Sequence, residues 1–443
     1  MNRDRELWWL NPAWVSAVMG AIVALGAFLI PDWMYRAYWY TPKFFNAPEL
    51  WITLAAIAMF SLGAWLSSSR RLHPGGCTEH NWMDNVPWRF VERTFNACFW
   101  LSVVGYITWA GAAISRGANL QLALGVLQGD KGASYVMKEV YLGTISGVTT
   151  LTQLAMAAMV LGVMIGVARG WRTVWPKFAV LFFLTLVRAL MNSERLSLME
   201  LLIPAAVLFV RLRLMESAGI RQRLWPLLRM APVLGYAGLV VVFGASEYFR
   251  SWINFYAGGD LSFWSFVGLR LLGYYVTALN NGALLIHRID PTGAPFFTLH
   301  FLWRFPGLSN LMDTLYPNFA LASAENDPYM AYLKVEANPE FNNGGGLLEP
   351  IMDFGLAGCL LYWLLAGLLA GLLYRWFQQK RIAGLLLYPA TFVGVIELSR
   401  IIYWAEGRVI IPQVALWLVG LACAYYARQF RAPEEEVAWQ PSR

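Results

Sequence analysis

The sequence predicts an all-α polytopic membrane protein with about ten transmembrane helices, up to about twelve with re-entrant or extra helices, and one large outer loop. Three observations predict it. Apolar residues fill 58% of the 443 positions and charged residues only 14%, and the mean hydropathy is +0.48, too apolar for an ordinary soluble domain. Mostly apolar runs of about 17 to 25 residues, the length of helix that crosses the hydrocarbon core, recur along the chain. Basic residues gather in alternate loops, as insertion with Lys and Arg kept inside requires.

In chain order the runs fall near 12–31, 50–67, 96–114, 144–168, 175–192, 196–212, 230–246, 351–374, 383–403 and 409–427. The first opens with Trp8, Trp9 and Trp14 and has no small-residue cleavage site after it, so it reads as a retained helix rather than a signal peptide. The sixth is short and carries charge. The runs divide the chain into a seven-span bundle (1–246), a large loop (247–350), a three-span bundle (351–428) and a cytoplasmic tail (429–443).

With the N-terminus inside, 20 of the 34 Lys and Arg residues are cytoplasmic against 9 of the 27 Asp and Glu, so the inner side carries +11 and the outer side −4. The isoelectric point of 9.2 then reflects inner loops beside anionic membrane lipid, and no nucleic-acid partner is implied. Cys98, Cys359 and Cys423 lie in spans and Cys77 in an inner loop, which leaves no outer disulfide pair. The cluster from His73 to His80 fits no zinc spacing, and Glu325-Asn326-Asp327 reads as a solvated turn. No metal site and no cofactor is expected.

The loop 247–350 is longer than a connector needs to be, and such length signals function. Its stretch "LSFWSFVGLRLLGYYVTALNNGALLI" (261–286) is apolar but contains Arg270, Asn280 and Asn281, and reads as an interfacial or re-entrant helix. Beyond Asp290 the loop turns aromatic and amide-rich. Trp303 and its neighbours suit the aromatic belt at headgroup level, but with the amides, Asn342 and Asn343 among them, they also suit sugars, whose C–H faces stack on rings and whose hydroxyls need polar partners.

Against the inward bias of basic residues, "LVRALMNSERLSLMELL" (186–202) carries Arg188 and Arg195 with Glu194 and Glu200, and "IELSRIIYWAEGRVI" (396–410) carries Arg400 and Arg408 with Glu397 and Glu406. Charges at span ends face a protein interior or a watery cavity, because lipid exposure costs several kcal/mol each. The outer side holds 10 Arg and 4 Lys, and Arg250, Arg270, Arg288 and Arg304 of the loop are among them. Arg binds phosphate oxygens in pairs through its planar fork, so these residues point to a site for an anion, most naturally a lipid-linked diphosphate. The alternative is snorkelling to lipid headgroups, or pairs such as Glu397 with Arg400 that fix helix packing.

"NPEFNNGGGLLEPIMDFG" (338–355) puts Pro350 in the first turn of a helix, with Glu349 and Asp353 where the positive helix end favours acids. Capping leaves Gly344, Gly345 and Gly346 unexplained. Glycines permit backbone shapes and close ligand approach that other residues forbid.

This Asn-Gly-rich segment followed by "DFGLAGCLLYWLLAGLL" resembles the end of the large outer loop in Wzy-type O-antigen polymerases, which polymerise oligosaccharide repeat units. "MNSERLSLMELLI" (191–203) is similar to that family's arginine-bearing span start, with "SERLS" where the family usually has Ser-Arg-Gly, and "GLRLLGYYVTALNNGALLI" to the middle of its loop. The resemblance implies a C-type glycosyltransferase-like fold in the bacterial inner membrane, with both termini cytoplasmic and the active site periplasmic. It also implies an enzyme that moves a growing glycan from one undecaprenyl diphosphate onto a sugar hydroxyl of another lipid-linked repeat, with a chain-length-regulating co-polymerase as partner. An O-antigen ligase-like transferase and a lipid-linked glycan transporter are the alternatives.

Attack by a hydroxyl on an anomeric carbon needs a base, a cationic cradle for the leaving diphosphate and openings for two lipids. Glu349, Asp353, Glu194, His287 and His300 are the candidate bases. Arg188, Arg195, Arg270, Arg288, Arg400 and Arg408 are the candidate diphosphate ligands, and Asn280, Asn281, Trp303, Asn342 and Asn343 the candidate glycan contacts. With arginines as the cradle and no Asp-X-Asp in the chain, activity is expected to be metal-independent.

Overall fold

The computed structural model describes residues 7–69, 82–83, 86–130, 132–143, 145, 147–192, 196–216, 218–305, 307–317, 328–338 and 340–430. Among them there are helices and turns and no strand. The larger helices are α1 (Pro12–Leu29), α2 (Asp32–Trp39), α3 (Ala47–Ser69), α4 (Trp88–Ser115), α5 (Leu154–Arg169) and α6 (Trp175–Met191). They continue with α7 (Leu196–Phe209), α8 (Ala231–Glu247), α9 (Phe263–Ile286), α10 (Glu349–Gln378), α11 (Ile382–Glu397) and α12 (Gly407–Phe430).

Each of the ten apolar runs contains a helix, but among the described residues six helices are long and apolar enough to cross a membrane: α1, α3, α4, α5 extended back to Val148, α10 and α12. Gln222–Arg229 joined to α8 across a 58° bend makes a seventh. Helices α6, α7 and α11 have 17, 14 and 16 residues. Their apolar stretches are cut short by the residues that drew attention in the sequence, since Arg188 and Glu397 lie in the last turns of α6 and α11 and Glu200 just past the first turn of α7.

Lipid supplies no hydrophobic drive between helices, so close packing of small residues has to hold them. Helices α3 and α10 meet in that way. A Cβ on Gly63 would lie 2.3 Å from the Leu364 carbonyl oxygen, and one on Gly367 2.1 Å from that of Phe60. Helix α5 is the hub of the other half: every residue from Leu154 to Gly166 is buried, and it packs against α4, α7 and α12. An all-round apolar helix is stable only with neighbours on every side.

Polar contacts gather at the two ends of the bundle. One end joins Trp9 Nε1 to the Leu228 carbonyl (2.7 Å), Arg169 to Glu92 (2.8 Å) and Lys380 to Glu216 (2.6 Å). The other joins Trp39 Nε1 to the Leu269 carbonyl (3.1 Å), His287 to Glu49 (2.9 Å) and Arg408 to Glu200 (3.3 Å). Lys43 closes the outer end of α1 by donating to the carbonyls of Phe28 and Ile30.

The segment 261–286 forms the 24-residue α9, which packs on α1, α8 and α10. Past it, Leu285, Phe296, Phe297, Trp303, Met312 and Met352 form a small second core that seats the short helices Phe301–Arg304 and Leu308–Leu315. Helix α10 is broken at Gly355, whose φ of 69° is open to glycine and costly for other residues. Its first turn, from Glu349 to Phe354, therefore belongs with the loop.

Candidate functional site

One end of the bundle, that of Arg188, Glu200, Glu397 and Arg408, concentrates charge that a membrane would otherwise exclude. Arg188, buried in the last turn of α6, donates to Thr152 Oγ1 just before α5, and close by the Tyr106 hydroxyl meets Thr185 Oγ1 at 2.8 Å. Glu200, buried in α7, pairs with Arg408 at the start of α12. Glu397 is fully buried at the end of α11 and pairs with Arg400 at 2.8 Å. Tyr403 is within electrostatic range of Glu200, Arg408 and Glu397, and Tyr106 of Arg188 and Glu200, so these groups share one neighbourhood.

Burying a carboxylate or a guanidinium costs several kcal/mol per ion, which the structure tolerates because each is paired. Among the described residues the cluster includes Arg188, Arg400 and Arg408 with Glu200 and Glu397. The Arg400 guanidinium also lies 6.0 Å from the ring centres of both Tyr274 and Tyr275 of α9. The pairing of Glu397 with Arg400 is the packing role that the three-residue spacing allowed.

Arg270 and Arg288 stand elsewhere. Arg270, buried in α9, meets Glu247 through Nε at 3.2 Å and Glu340 through both terminal nitrogens. Its fork is thus occupied by the chain's own carboxylates. Arg288 is exposed and pairs with Glu336 at 2.6 Å. Glu194 and Arg195 lie outside the described residues, as do the cluster from His73 to His80 and the stretch Glu325 to Asp327.

The glycine run is filled by protein. The Gly345 amide donates to the Arg400 carbonyl at 3.2 Å, and its φ is +71°. A Cβ there would sit 2.6 Å from the Ala278 carbonyl oxygen, and one on Gly346 would sit 2.5 Å from the Ile401 carbonyl carbon. The close approach that the sequence reading assigned to a ligand is made by the backbones of α9 and of the 400–402 turn. Asn281 locks the same junction, donating to the carbonyls of Phe341 (2.6 Å) and Asn343 (3.0 Å).

Asn280 is likewise engaged. Its Oδ1 accepts from the amides of Phe44 (2.6 Å) and Phe45 (3.1 Å), and its Nδ2 donates to the Pro42 carbonyl (2.9 Å). Trp303 is buried in the second core, Asn342 is exposed and Asn343 half-buried. Asp353 is fully buried and accepts from the Phe297 amide (3.0 Å), the Thr298 amide (2.8 Å) and the Thr298 hydroxyl (2.7 Å), which pins the 291–299 loop to α10.

Of the candidate bases, Glu349 is half-buried at the first position of α10. His300 is half-buried against Phe296, with 5.2 Å between ring centres. Burial, aided by the Arg304 charge, pushes its pKa down to about 3. It is neutral near pH 7 and too weakly basic to accept a hydroxyl proton readily.

No family model, curated protein or solved structure matches the chain. The chemistry therefore has to be argued from the residues. Sequence reading reached Arg188, Arg400 and Arg408 because charge at span ends is anomalous. It missed Thr152, Tyr403, Glu247 and Glu340, which carry no signal until the helices are assembled.

Proposed function

We propose that the chain is a membrane-embedded glycosyltransferase that polymerises oligosaccharide repeats linked to undecaprenyl diphosphate at the outer, periplasmic face of the bacterial inner membrane. The observation that carries this reading is the placement of Arg188, Arg400 and Arg408, from three separate parts of the chain, in one partly buried cluster with Glu200 and Glu397. Guanidinium groups fixed in a low-dielectric setting stabilise a departing diphosphate as the anomeric C–O bond breaks and the electron pair leaves with its oxygen. Because this cradle is built of arginine, turnover is proposed to be metal-independent. Of the candidate bases among the described residues, Glu349 suits the acceptor hydroxyl best, being half-buried where Asp353 is held by three donors and His300 is weakly basic.

The same reading takes all ten apolar helices as crossings in a C-type arrangement. It is supported by α6, which meets Asn96 through Lys177 at one end and Thr152 through Arg188 at the other. It is supported also by α11, which lies between the Lys380–Glu216 pair and the Glu397–Arg400 pair. The test is incubation of the purified chain in detergent with a lipid-diphosphate oligosaccharide. Polymerisation yields a ladder of longer glycans; a ligase-like transferase moves a glycan only onto a different acceptor, and a transporter yields no longer glycan.

A further inference from the structure

At the inner end of the bundle, away from the arginine cluster, α3 and α10 flank an open groove lined by Ser67, Leu368, Leu369, Leu372 and Arg375. Its origin lies in the helix crossing. Gly367 and Gly371 let α10 lie directly on α3, where a Cβ on Gly371 would come within 2.2 Å of both the Ala64 carbonyl oxygen and Ser67 Oγ. Backbones so close leave no side chain to fill the angle where the helices part. The larger residues Leu368 and Leu372 line that angle, one turn apart.

The groove continues a lipid-facing stripe. Leu361, Leu365 and Leu369 succeed one another at four-residue spacing along α10 and are each more than half exposed. In a chain that spans a membrane such a stripe faces acyl chains. At its inner end, one turn past Leu372, stands Arg375, whose buried Nε has no hydrogen-bond partner. One turn further, Gln379 Oε1 and Gln378 Nε2 are also buried without a partner. An apolar groove thus ends in a guanidinium.

We propose that this groove is a binding site for one anionic phospholipid of the inner leaflet. An acyl chain lies along Leu368, Leu369 and Leu372, and Arg375 holds the phosphate. Charge complementarity selects this occupant: a guanidinium at the membrane surface attracts a net-negative headgroup and repels the cationic end of a zwitterionic one. The site is independent of the diphosphate network and of the reaction proposed for it.

The experiment is native mass spectrometry of the full chain in detergent with added phosphatidylglycerol or phosphatidylcholine. Phosphatidylglycerol is expected to be retained as a single adduct at about tenfold lower concentration than phosphatidylcholine, the ratio expected of one charge-assisted contact. Arg375→Gln removes that preference, Arg375→Lys keeps most of it, and Leu368→Trp, which fills the groove, reduces retention of both lipids. Equal retention of the two lipids by the unaltered chain overturns the proposal. So does unchanged phosphatidylglycerol retention in Arg375→Gln, or in Leu368→Trp should the first variant fail to fold.

Discussion

The Gly345 amide donates to the Arg400 carbonyl at 3.2 Å, joining the glycine run before α10 to the turn that carries an arginine of the outer network. The contact fixes the backbone of Arg400 from one side while Glu397 fixes its guanidinium from another. The glycines act on the site through position rather than by touching a substrate.

Gly345→Ala tests this coupling. The substitution adds about 1 to 2 kcal/mol for a left-handed backbone and about 1 to 3 kcal/mol for overpacking against Ala278. Gly293 has the same φ of +71° with nothing within 4 Å of its virtual Cβ, so Gly293→Ala adds only the first contribution. Thermal unfolding in detergent should show the larger loss for Gly345→Ala; equal losses would mean that the close approach to α9 is unimportant.

The Glu397–Arg400 pair should behave as a coupled unit. Arg400→Gln leaves a fully buried carboxylate without its cation, a loss of about 3 to 5 kcal/mol. Adding Glu397→Gln removes that buried charge and restores about 1 to 3 kcal/mol. A double-mutant cycle by chemical unfolding checks this, and strict additivity would argue against the pairing.

Arg270 presents a graded case. Its partner Glu247 is fully buried, whereas the Glu340 side chain is 41% exposed. Arg270→Met should therefore cost about 3 to 5 kcal/mol by stranding Glu247, and Glu340→Gln about 1 kcal/mol or less. If glycan extension falls in Arg270→Met while unfolding is unchanged, the residue touches substrate and its structural role is minor.

His300 sets a pH dependence. Its folded pKa lies near 3, below the unfolded value of about 6.5, so between these limits the unfolded chain binds a proton that the folded chain does not. Stability is fully present above about pH 6.5 and falls as the pH drops toward 3. Melting curves at pH 7 and 4.5 should show a larger acid-induced loss in the wild type than in His300→Gln. An equal loss would assign it to other groups.

The helical class and the positions of all ten apolar helices were legible in the sequence, because hydropathy and the segregation of Lys and Arg follow from insertion physics alone. Helix lengths were less so, since buried charges at Arg188, Glu200 and Glu397 can stay within a helix only where the fold brings each a partner: Thr152 before α5, Arg408 of α12 and Arg400 in the turn after α11. The partners of Arg270 show the limit: Glu340 is 70 residues away and no spacing rule connects them. Asn280 and Asn281 looked like sugar ligands because amides suit sugars, and they suit orphan backbone groups equally well.

The central claim is that Arg188, Arg400 and Arg408 together hold the diphosphate of a lipid-linked glycan. The most direct measurement is glycan-ladder formation by purified Arg188→Lys, Arg400→Lys and Arg408→Lys variants, each keeping the charge but losing the planar fork, beside Arg288→Ala as an exposed control. The account predicts that extension falls about tenfold or more in each of the three and stays near wild type in the control. Full extension by all three lysine variants, with folding intact, would contradict it.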